Sequence, residues 1–138
     1  MKKIVTTLLA ALSLSTAFAW PDKPVTMVVP FPPGGSTDLI ARTLGPKLQE
    51  RLGGTFITDN KAGATGTIGA GIVTRAPADG HTLLLISSGT AVSASLFKAL
   101  PFDTVKDFTP VTKLASFDLV LAVSETGRFK TIADLLAY

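Results

Sequence analysis

Short apolar runs alternate with helix-like stretches along this chain, and that order constrains the fold more than any other feature. Val25–Val29 and Thr82–Ile86 are rich in β-branched and aliphatic residues, and Thr55–Thr58 and Leu119–Val123 predict two further strands. Strands that alternate with helices form a parallel sheet covered by helices on both faces. The sequence therefore predicts an α/β fold built on a parallel sheet.

Apolar residues at every fourth position predict the first helix: Ile40, Leu44, Leu48 and Leu52. Pro46 lies inside this stretch, and because proline has no N–H group we expect a kink or a break there. Gly53–Gly54 should end the helix. Further helices are predicted at Ile68–Ala76, at Ala91–Leu100 and from Thr131, where Asp134 completes a capping box.

Residues 1–19 have the parts of a secretory signal peptide. A positive start is followed by the mostly apolar stretch Ile4–Leu14 and by small residues that predict cleavage before Trp20. The apolar run is shorter than the roughly 20 residues that span a bilayer, which disfavours a membrane anchor. We expect a mature chain, residues 20–138, that works outside the cytoplasm.

Composition excludes several classes of function. The chain has no cysteine, which rules out disulfides and thiolate metal sites, and its one histidine, His81, cannot build a polyhistidine site. Lys and Arg exceed Asp and Glu by three, but Lys2 and Lys3 fall in the predicted signal peptide and the others are scattered. Nucleic-acid binding needs a clustered basic surface. We therefore expect no bound nucleic acid, metal or cofactor. We also expect the protein to be a monomer.

Three loops rich in glycine, serine and threonine follow the predicted strands: loop 1 (Pro32–Asp38), loop 2 (Asp59–Gly69) and loop 3 (Ser87–Thr90). The carboxyl ends of parallel strands meet at one edge of the sheet, and ligands of such sheets bind beyond that edge. We therefore expect the three loops to lie together around a ligand.

Loop 1 contains the first group of candidate ligand-binding residues: Pro33, Gly34, Gly35, Ser36, Thr37 and Asp38. The glycines let the backbone approach a ligand, and the first N–H groups of the following helix lack helical partners and carry the positive end of its dipole. An anion is the natural guest. The alternative is a plain turn with an N-cap. The role of Asp38 stays open between stabilising the helix, orienting loop amides, contacting an ammonium or hydroxyl group, and holding a water molecule.

Loops 2 and 3 supply the remaining candidates: Gly63, Ala64, Gly66, Ser87, Ser88 and Thr90. Loop 2 again leads through glycines to a helix start, so it could grip carboxylate oxygens together with loop 1. The alternative is that loop 2 is only structural. Loop 3 offers hydroxyl groups after the central strand.

A serine esterase that uses Ser87 or Ser88 is the alternative from another class. Loop 3 lacks the G-x-S-x-G elbow of such enzymes. His81 begins the strand that ends before Ser87, and at ~3.3 Å per residue this puts it at the opposite edge of the sheet, where we expect a surface residue. We therefore predict no catalytic residue and no enzymatic activity.

Several motifs, in order along the chain, carry a family resemblance: Trp20–Val25, Val28–Asp38, Ala41–Arg42, Asp59–Ala64, Ile68–Gly69, Ala76–Leu84, Leu100–Asp103 and Lys106–Val111. With them the chain resembles the Bug-type receptors, the periplasmic substrate-binding proteins of tripartite tricarboxylate transporters. The resemblance implies a type II periplasmic binding protein fold, in which two α/β domains hold the ligand between them. It also implies a small carboxylate ligand (a tricarboxylate, dicarboxylate or amino acid), a periplasmic location, and the membrane permease subunits as partners.

The chain departs from the family pattern in its length and in two loops. Thr65 stands where the family usually has glycine, and Thr90–Ser95 replaces a polar segment that contains Asn-Pro. Family members are longer, and the chain stops abruptly at Tyr138, so we expect residues 20–138 to be a truncated first domain without the second domain. Binding by such a fragment is expected to be impaired, and a non-functional gene remnant is the other alternative.

Overall fold

A computed structural model of the chain describes residues 20–97, 99–118 and 120–138. Within these ranges the elements are β1 (Val25–Val29), α1 (Ser36–Leu52), β2 (Phe56–Asn60), a 3-10 helix (Ala64–Gly66), α2 (Thr67–Val73), β3 (Thr82–Leu84), α3 (Ser88–Leu96) and α4 (Ile132–Leu136). The alternation of strands and helices confirms the predicted α/β class. The predicted signal peptide lies outside the described residues.

The three strands form one parallel sheet in the order β2-β1-β3. Val25 lies opposite Phe56 of β2, and Thr26 lies opposite Thr82 of β3. A helix lies between each pair of consecutive strands, as parallel pairing requires. The strands therefore all end at one edge of the sheet, and loops 1, 2 and 3 begin there.

The core forms where α1 packs on β1. Every residue of β1 except Thr26 is at most 2% exposed, and Met27 and Val29 cluster with Ala41 and Leu85. Burying an aliphatic side chain of this size stabilises a fold by about 1.5–3 kcal/mol. The central strand is thus the best buried, whereas β2 and β3 are mostly half-buried.

α1 runs unbroken through Pro46, so of the predicted kink or break, the break is wrong. Gly45 is buried against the sheet, where a Cβ atom would come within 3.0 Å of the Met27 side chain. This packing outweighs the one backbone hydrogen bond that Pro46 lacks, because helices in proteins draw most of their stability from tertiary contacts. The helix ends at Gly53, whose φ of 73° is left-handed, as predicted.

Two predictions near the C-terminal end have different outcomes. The strand predicted at Leu119–Val123 is wrong for residues 120–123, which form no strand; Leu119 itself lies outside the described residues. Val120 is 86% exposed, and a strand needs a neighbour that pairs its backbone N–H and C=O groups. The capping box is confirmed, because Asp134 N donates to Thr131 Oγ1 and Thr131 N donates to Asp134 Oδ2.

The other predicted elements are present with shifted ends. The strands predicted at Thr55–Thr58 and Thr82–Ile86 correspond to β2 and β3, and the helices predicted at Ile68–Ala76 and Ala91–Leu100 correspond to α2 and α3. Lys98, inside the last predicted helix, lies outside the described residues. Within the three described ranges, no helix is both long enough and apolar enough to cross a bilayer.

Candidate functional site

Loops 1, 2 and 3 meet at the carboxyl edge of the sheet. Asn60, the last residue of β2, donates from Nδ2 to the backbone oxygen of Phe31, just before loop 1, at 3.1 Å. Gly66 of loop 2 lies so close to loop 3 that a Cβ atom on it would come within 2.9 Å of Thr90 Oγ1. The structure therefore brings the three loops together.

Asp38 organises loop 1 from a buried position, with only 3% of the residue exposed. Its Oδ2 accepts hydrogen bonds from Gly34 N and from Arg42 Nε, each at 2.9 Å. Its Oδ1 accepts from Asn60 Nδ2, also at 2.9 Å. Arg42 Nη2 in turn donates to Asn60 Oδ1 at 3.1 Å. Asp38, Arg42 and Asn60 thus close a ring of hydrogen bonds, which we call the Asp38 ring.

These contacts keep Asp38 ionised. The hydrogen bond from Arg42, followed by those from Gly34 and Asn60, lowers the pKa of the Asp38 carboxyl to about 2, against the opposing effect of burial. Of the roles that the sequence left open for Asp38, the structure shows the one in which it orients a loop amide, because its carboxylate holds the Gly34 N–H group.

The first turn of α1 leaves backbone N–H groups without acceptors. Gly35 is the N-cap, and no side chain of the described ranges caps the helix. Leu39 N donates to Gly35 O at 2.9 Å, whereas the N–H groups of Ser36 and Thr37, like that of the buried Asp38, have no acceptor within the described part of the chain. Ser36 is exposed and Thr37 is half-buried. These two amides carry the positive end of the dipole of a 17-residue helix.

Loop 2 turns through successive residues with positive φ: Gly63 at 134°, Ala64 at 45°, Thr65 at 55° and Gly66 at 92°. The two non-glycine residues in this region each store about 1–3 kcal/mol of backbone strain. Gly66 N donates to Gly63 O, and Thr67 Oγ1 donates to Ala64 O, each at 2.9 Å, so the turn is closed internally. Gly63 and Ala64 stay exposed at its tip, whereas Gly66 is buried.

The loop 3 candidates lie in different environments. Ser87 is half-buried and precedes α3 as its N-cap, and Ser88 is exposed. Thr90 is fully buried, and its Oγ1 has no hydrogen-bond partner among the residues that the structure describes. Thr90 packs against Gly66, so Ser88 is the exposed hydroxyl residue of loop 3 and Ser87 is half-buried. Of the loop 1 candidates, Pro33, Gly34 and Gly35 are exposed.

His81 is buried at the opposite edge of the sheet, and the predicted surface position is wrong. The residue is 8% exposed, and the Trp20 ring lies over it with a centroid distance of 5.9 Å. His81 Nε2 lies 2.9 Å from Asp22 Oδ1, and Nδ1 lies 3.1 Å from the backbone oxygen of Asp79. Although it lies near Asp22, Nε2 makes no hydrogen bond within the described residues. Both ring nitrogens lie at the edge opposite Ser87, so no Ser–His pair forms in the described ranges.

Two members of the Asp38 ring were not among the candidates. Arg42 has a sequence signal, because it lies four residues after Asp38, a spacing at which opposite charges on a helix meet. Asn60 has no spacing signal of this kind, since it lies 22 residues from Asp38 and is brought close by β1–β2 pairing. Over the described ranges, no group of three or more His, Cys, Asp or Glu side chains could hold a metal ion.

Comparisons with known proteins agree on one family. The family model described as tripartite tricarboxylate transporter family receptor matches residues 40–138. Protein BugT of Bordetella pertussis is 40% identical over 124 residues, which cover 88% of this chain and 38% of BugT. The chain spans between 35% and 38% of the length of the first curated relatives it matches.

Solved structures share the fold. An R. palustris protein with adipate superposes with a TM-score of 0.68 at 35% identity, over 86% of this chain and 40% of that one. MatC from Rhodopseudomonas palustris, with bound malate, gives a TM-score of 0.59 at 43% identity, over 67% of this chain and 32% of MatC.

Proposed function

The chain belongs to the tripartite tricarboxylate transporter receptor family, and from this premise we propose that it is an extracytoplasmic receptor that captures a small carboxylate for such a transporter. The observation that carries the proposal is the pair of N–H groups at Ser36 and Thr37, which have no acceptor in the described residues. They lie at the start of a long helix, where an anion is favoured by both hydrogen bonding and the helix dipole.

These amides can supply the binding free energy of a weak site. A hydrogen bond to a charged group contributes about 1.5–3 kcal/mol, so two would give roughly 3–6 kcal/mol before the cost of association is subtracted. Millimolar affinity corresponds to about 4 kcal/mol and micromolar affinity to about 8 kcal/mol. Since water reaches Ser36 and screens its charge interactions, we expect this chain alone to bind a carboxylate in the millimolar range.

The proposed ligand is a tricarboxylate, a dicarboxylate or an amino acid. Among these a dicarboxylate has the most support, because two proteins of similar fold were solved with adipate and with malate. The absence of basic side chains in loop 1 fits this class, since recognition would rest on backbone amides and hydroxyl groups. That pattern suits a planar carboxylate, whereas phosphate-binding loops of the P-loop type carry a lysine.

We divide the candidate residues into those that would contact the ligand and those that hold the loops in place. We propose as ligand contacts the candidates that are exposed or half-buried at this edge and are not held by Asp38: Pro33, Gly35, Ser36, Thr37, Gly63, Ala64, Ser87 and Ser88. The supporting residues are those whose polar groups are buried or already bonded: Gly34, Asp38, Gly66 and Thr90.

The proposal extends to location, domain and partners. We propose that residues 20–138 form part of the first α/β domain of a two-domain periplasmic receptor, exported by the signal peptide at residues 1–19. The loaded receptor would deliver its ligand to the permease subunits of the transporter, acting as a monomer. Family membership supports the periplasmic location.

Two substitutions at one position test the function. Ser36 is the first residue of α1, a position that favours proline, and Gly35 before it is extended (φ −78°, ψ 170°), as proline requires. Ser36→Pro therefore removes one ligand-binding N–H group without disturbing the helix, and Ser36→Ala removes only the hydroxyl. Titration calorimetry with malate and adipate should give millimolar binding for the wild type and Ser36→Ala, and roughly tenfold weaker binding for Ser36→Pro. Equal affinity in Ser36→Pro, or no binding by the wild type, would overturn the proposal.

A further inference from the structure

The carboxylate of Asp38 is an internal competitor for the anion site. Asp38 is the third residue of α1, and an acidic side chain in the first turn of a helix is attracted to the free N–H groups there. Among the described residues it bonds to neither Ser36 N nor Thr37 N. Its two oxygens are taken up by Gly34 N, Arg42 Nε and Asn60 Nδ2.

Arg42 and Asn60 hold this carboxylate from two different elements. Arg42 lies one turn further along α1, and Asn60 closes β2. Asn60 is itself fixed twice, because its Nδ2 also donates to Phe31 O and its Oδ1 accepts from Arg42 Nη2, each at 3.1 Å. The carboxylate is thus drawn toward the sheet, where only 4% of the Asp38 side chain is exposed.

We propose that Arg42 and Asn60 are positioning residues that hold the Asp38 carboxylate away from the N–H groups of Ser36 and Thr37, and so keep those groups open to an anionic ligand. The inference rests on the proposed function, since it concerns the same amides. It assigns Arg42 and Asn60 an effect on ligand binding although neither needs to touch the ligand.

A purely structural Asp38 ring predicts a different pattern of mutant effects. If the ring only stabilises loop 1, the N–H groups of Ser36 and Thr37 should be no more accessible to a ligand in the variant that lacks both Asp38 and Arg42 than in the variant that lacks Arg42 alone. If Arg42 restrains a competitor, Arg42→Gln should let the Asp38 carboxylate bond to the helix start, and a further Asp38→Asn change should reopen the site by removing the competing charge. The double variant therefore separates the two accounts by the sign of its effect.

The first arm of the test needs no ligand. Amide-resolved hydrogen exchange by NMR compares the wild-type chain with Arg42→Gln, the Asp38→Asn/Arg42→Gln double variant and Arg51→Gln, a control at an exposed position in the last turn of α1. Exchange at Ser36 and Thr37 should slow by roughly tenfold in Arg42→Gln, because a new bond to a carboxylate forms, and should return in the double variant. Unchanged exchange in Arg42→Gln, or slow exchange that persists in the double variant, would refute the proposal.

A second variant guards against misfolding. Arg42→Lys keeps the positive charge but lacks the paired donors that reach Asp38 and Asn60 together, so its exchange rates should fall between those of the wild type and Arg42→Gln. If the NMR spectrum of Arg42→Gln shows that this variant is unfolded, the test rests on Arg42→Lys. Wild-type exchange rates at Ser36 and Thr37 in Arg42→Lys would then refute the proposal.

The second arm adds malate. Its affinity should fall by roughly tenfold in Arg42→Gln and recover in the double variant, and failure to recover would count against the restraint of Asp38. The two proposals can fail separately. A wild type that binds no malate overturns the proposed function, whereas the exchange rates still show whether Arg42 restrains the carboxylate.

Discussion

Loop 1 and loop 2 both lead from a strand through glycines into a helix, yet they are held in shape by different forces. Loop 1 is fixed by charge, because the Asp38 carboxylate gathers donors from the loop, from α1 and from β2. Loop 2 is fixed by close packing at glycines, which have no side chain. Gly66 lies against Thr90, and Gly69, the last residue of the loop, lies against Pro30.

The two loops give the same sheet edge different properties: within the described ranges, loop 1 has free backbone N–H groups, and loop 2 is a tightly packed turn. Loop 1 keeps its own carboxylate hydrogen-bonded, and its amides at Ser36 and Thr37 have no partner in the part of the chain that the structure describes. Loop 2 satisfies its turn internally and holds strained backbone at Ala64 and Thr65. Loop 1 should therefore respond to changes of charge and pH, and loop 2 to added volume.

The largest effect is expected from a methyl group at Gly69. Its Cβ atom would lie 2.8 Å from Pro30 Cβ and 3.1 Å from the backbone oxygen of Lys61. Gly69→Ala should therefore lower the free energy of unfolding by about 1–3 kcal/mol, although alanine favours helices over glycine. Urea denaturation measures the change.

Gly71, two residues further along α2, is the matched control for this prediction. A Cβ atom there would meet Arg75 and Phe102 at ordinary contact distances of 3.5 Å or more. Gly71→Ala should be neutral or stabilise the fold by up to about 1 kcal/mol. Equal stability of the two variants would show that close packing does not fix loop 2.

Two buried threonines test whether loops 2 and 3 depend on hydrogen bonds. Thr67 Oγ1 donates to Ala64 O, so Thr67→Val should lower the free energy of unfolding by about 1 kcal/mol. Thr90 Oγ1 has no partner in the described residues, and Thr90→Val keeps the shape, so its stability should stay within about 0.5 kcal/mol of the wild type or rise. A loss at Thr90 as large as that at Thr67 would contradict the packing account.

The smallest effect is expected from a change of pH near neutrality. The contribution of the loop 1 carboxylate to the free energy of unfolding should change only in acid. The pKa of Asp38 is lowered to about 2 from 3.8, so its ionised form stabilises the fold above the ordinary value, and that contribution is lost as pH falls from 3.8 toward 2. Asp79 adds to the same window, since its bond with Lys23 lowers the pKa of the Asp79 carboxyl to about 2.

Urea midpoints measured across this window separate the two carboxylates. Asp38→Asn and Asp79→Asn should each reduce the change in urea midpoint between pH 3.8 and 2. Thr67→Val should leave the pH dependence of the midpoint unchanged. A wild-type slope in Asp38→Asn would mean that charge does not hold loop 1.

The sequence predicted the features that depend on neighbours along the chain. The β-branched run of β1, the glycine end of α1 and the capping box at Thr131 are all local, and all three are present. Loop placement also followed, because a parallel sheet brings every strand end to one edge.

What the sequence could not predict depends on partners that are distant along the chain. The continuous helix through Pro46 depends on how α1 packs on the sheet, and the burial of His81 depends on Trp20 and Asp22. The bond from Asn60 to Asp38 likewise depends on strand pairing, which brings the two residues close. The positive φ values of Ala64 and Thr65 in loop 2 have no signal in the sequence, because neither residue type favours left-handed backbone.

The amide-resolved NMR titration of the wild-type chain with malate tests the account most directly, with the neutral diamide of malate as the control ligand. The account predicts that malate shifts the Ser36 and Thr37 resonances, that Gly34 N–H stays unchanged because Asp38 holds it, and that the diamide has no effect. Shifts confined to surface lysines and arginines, or equal shifts with the diamide, would contradict it.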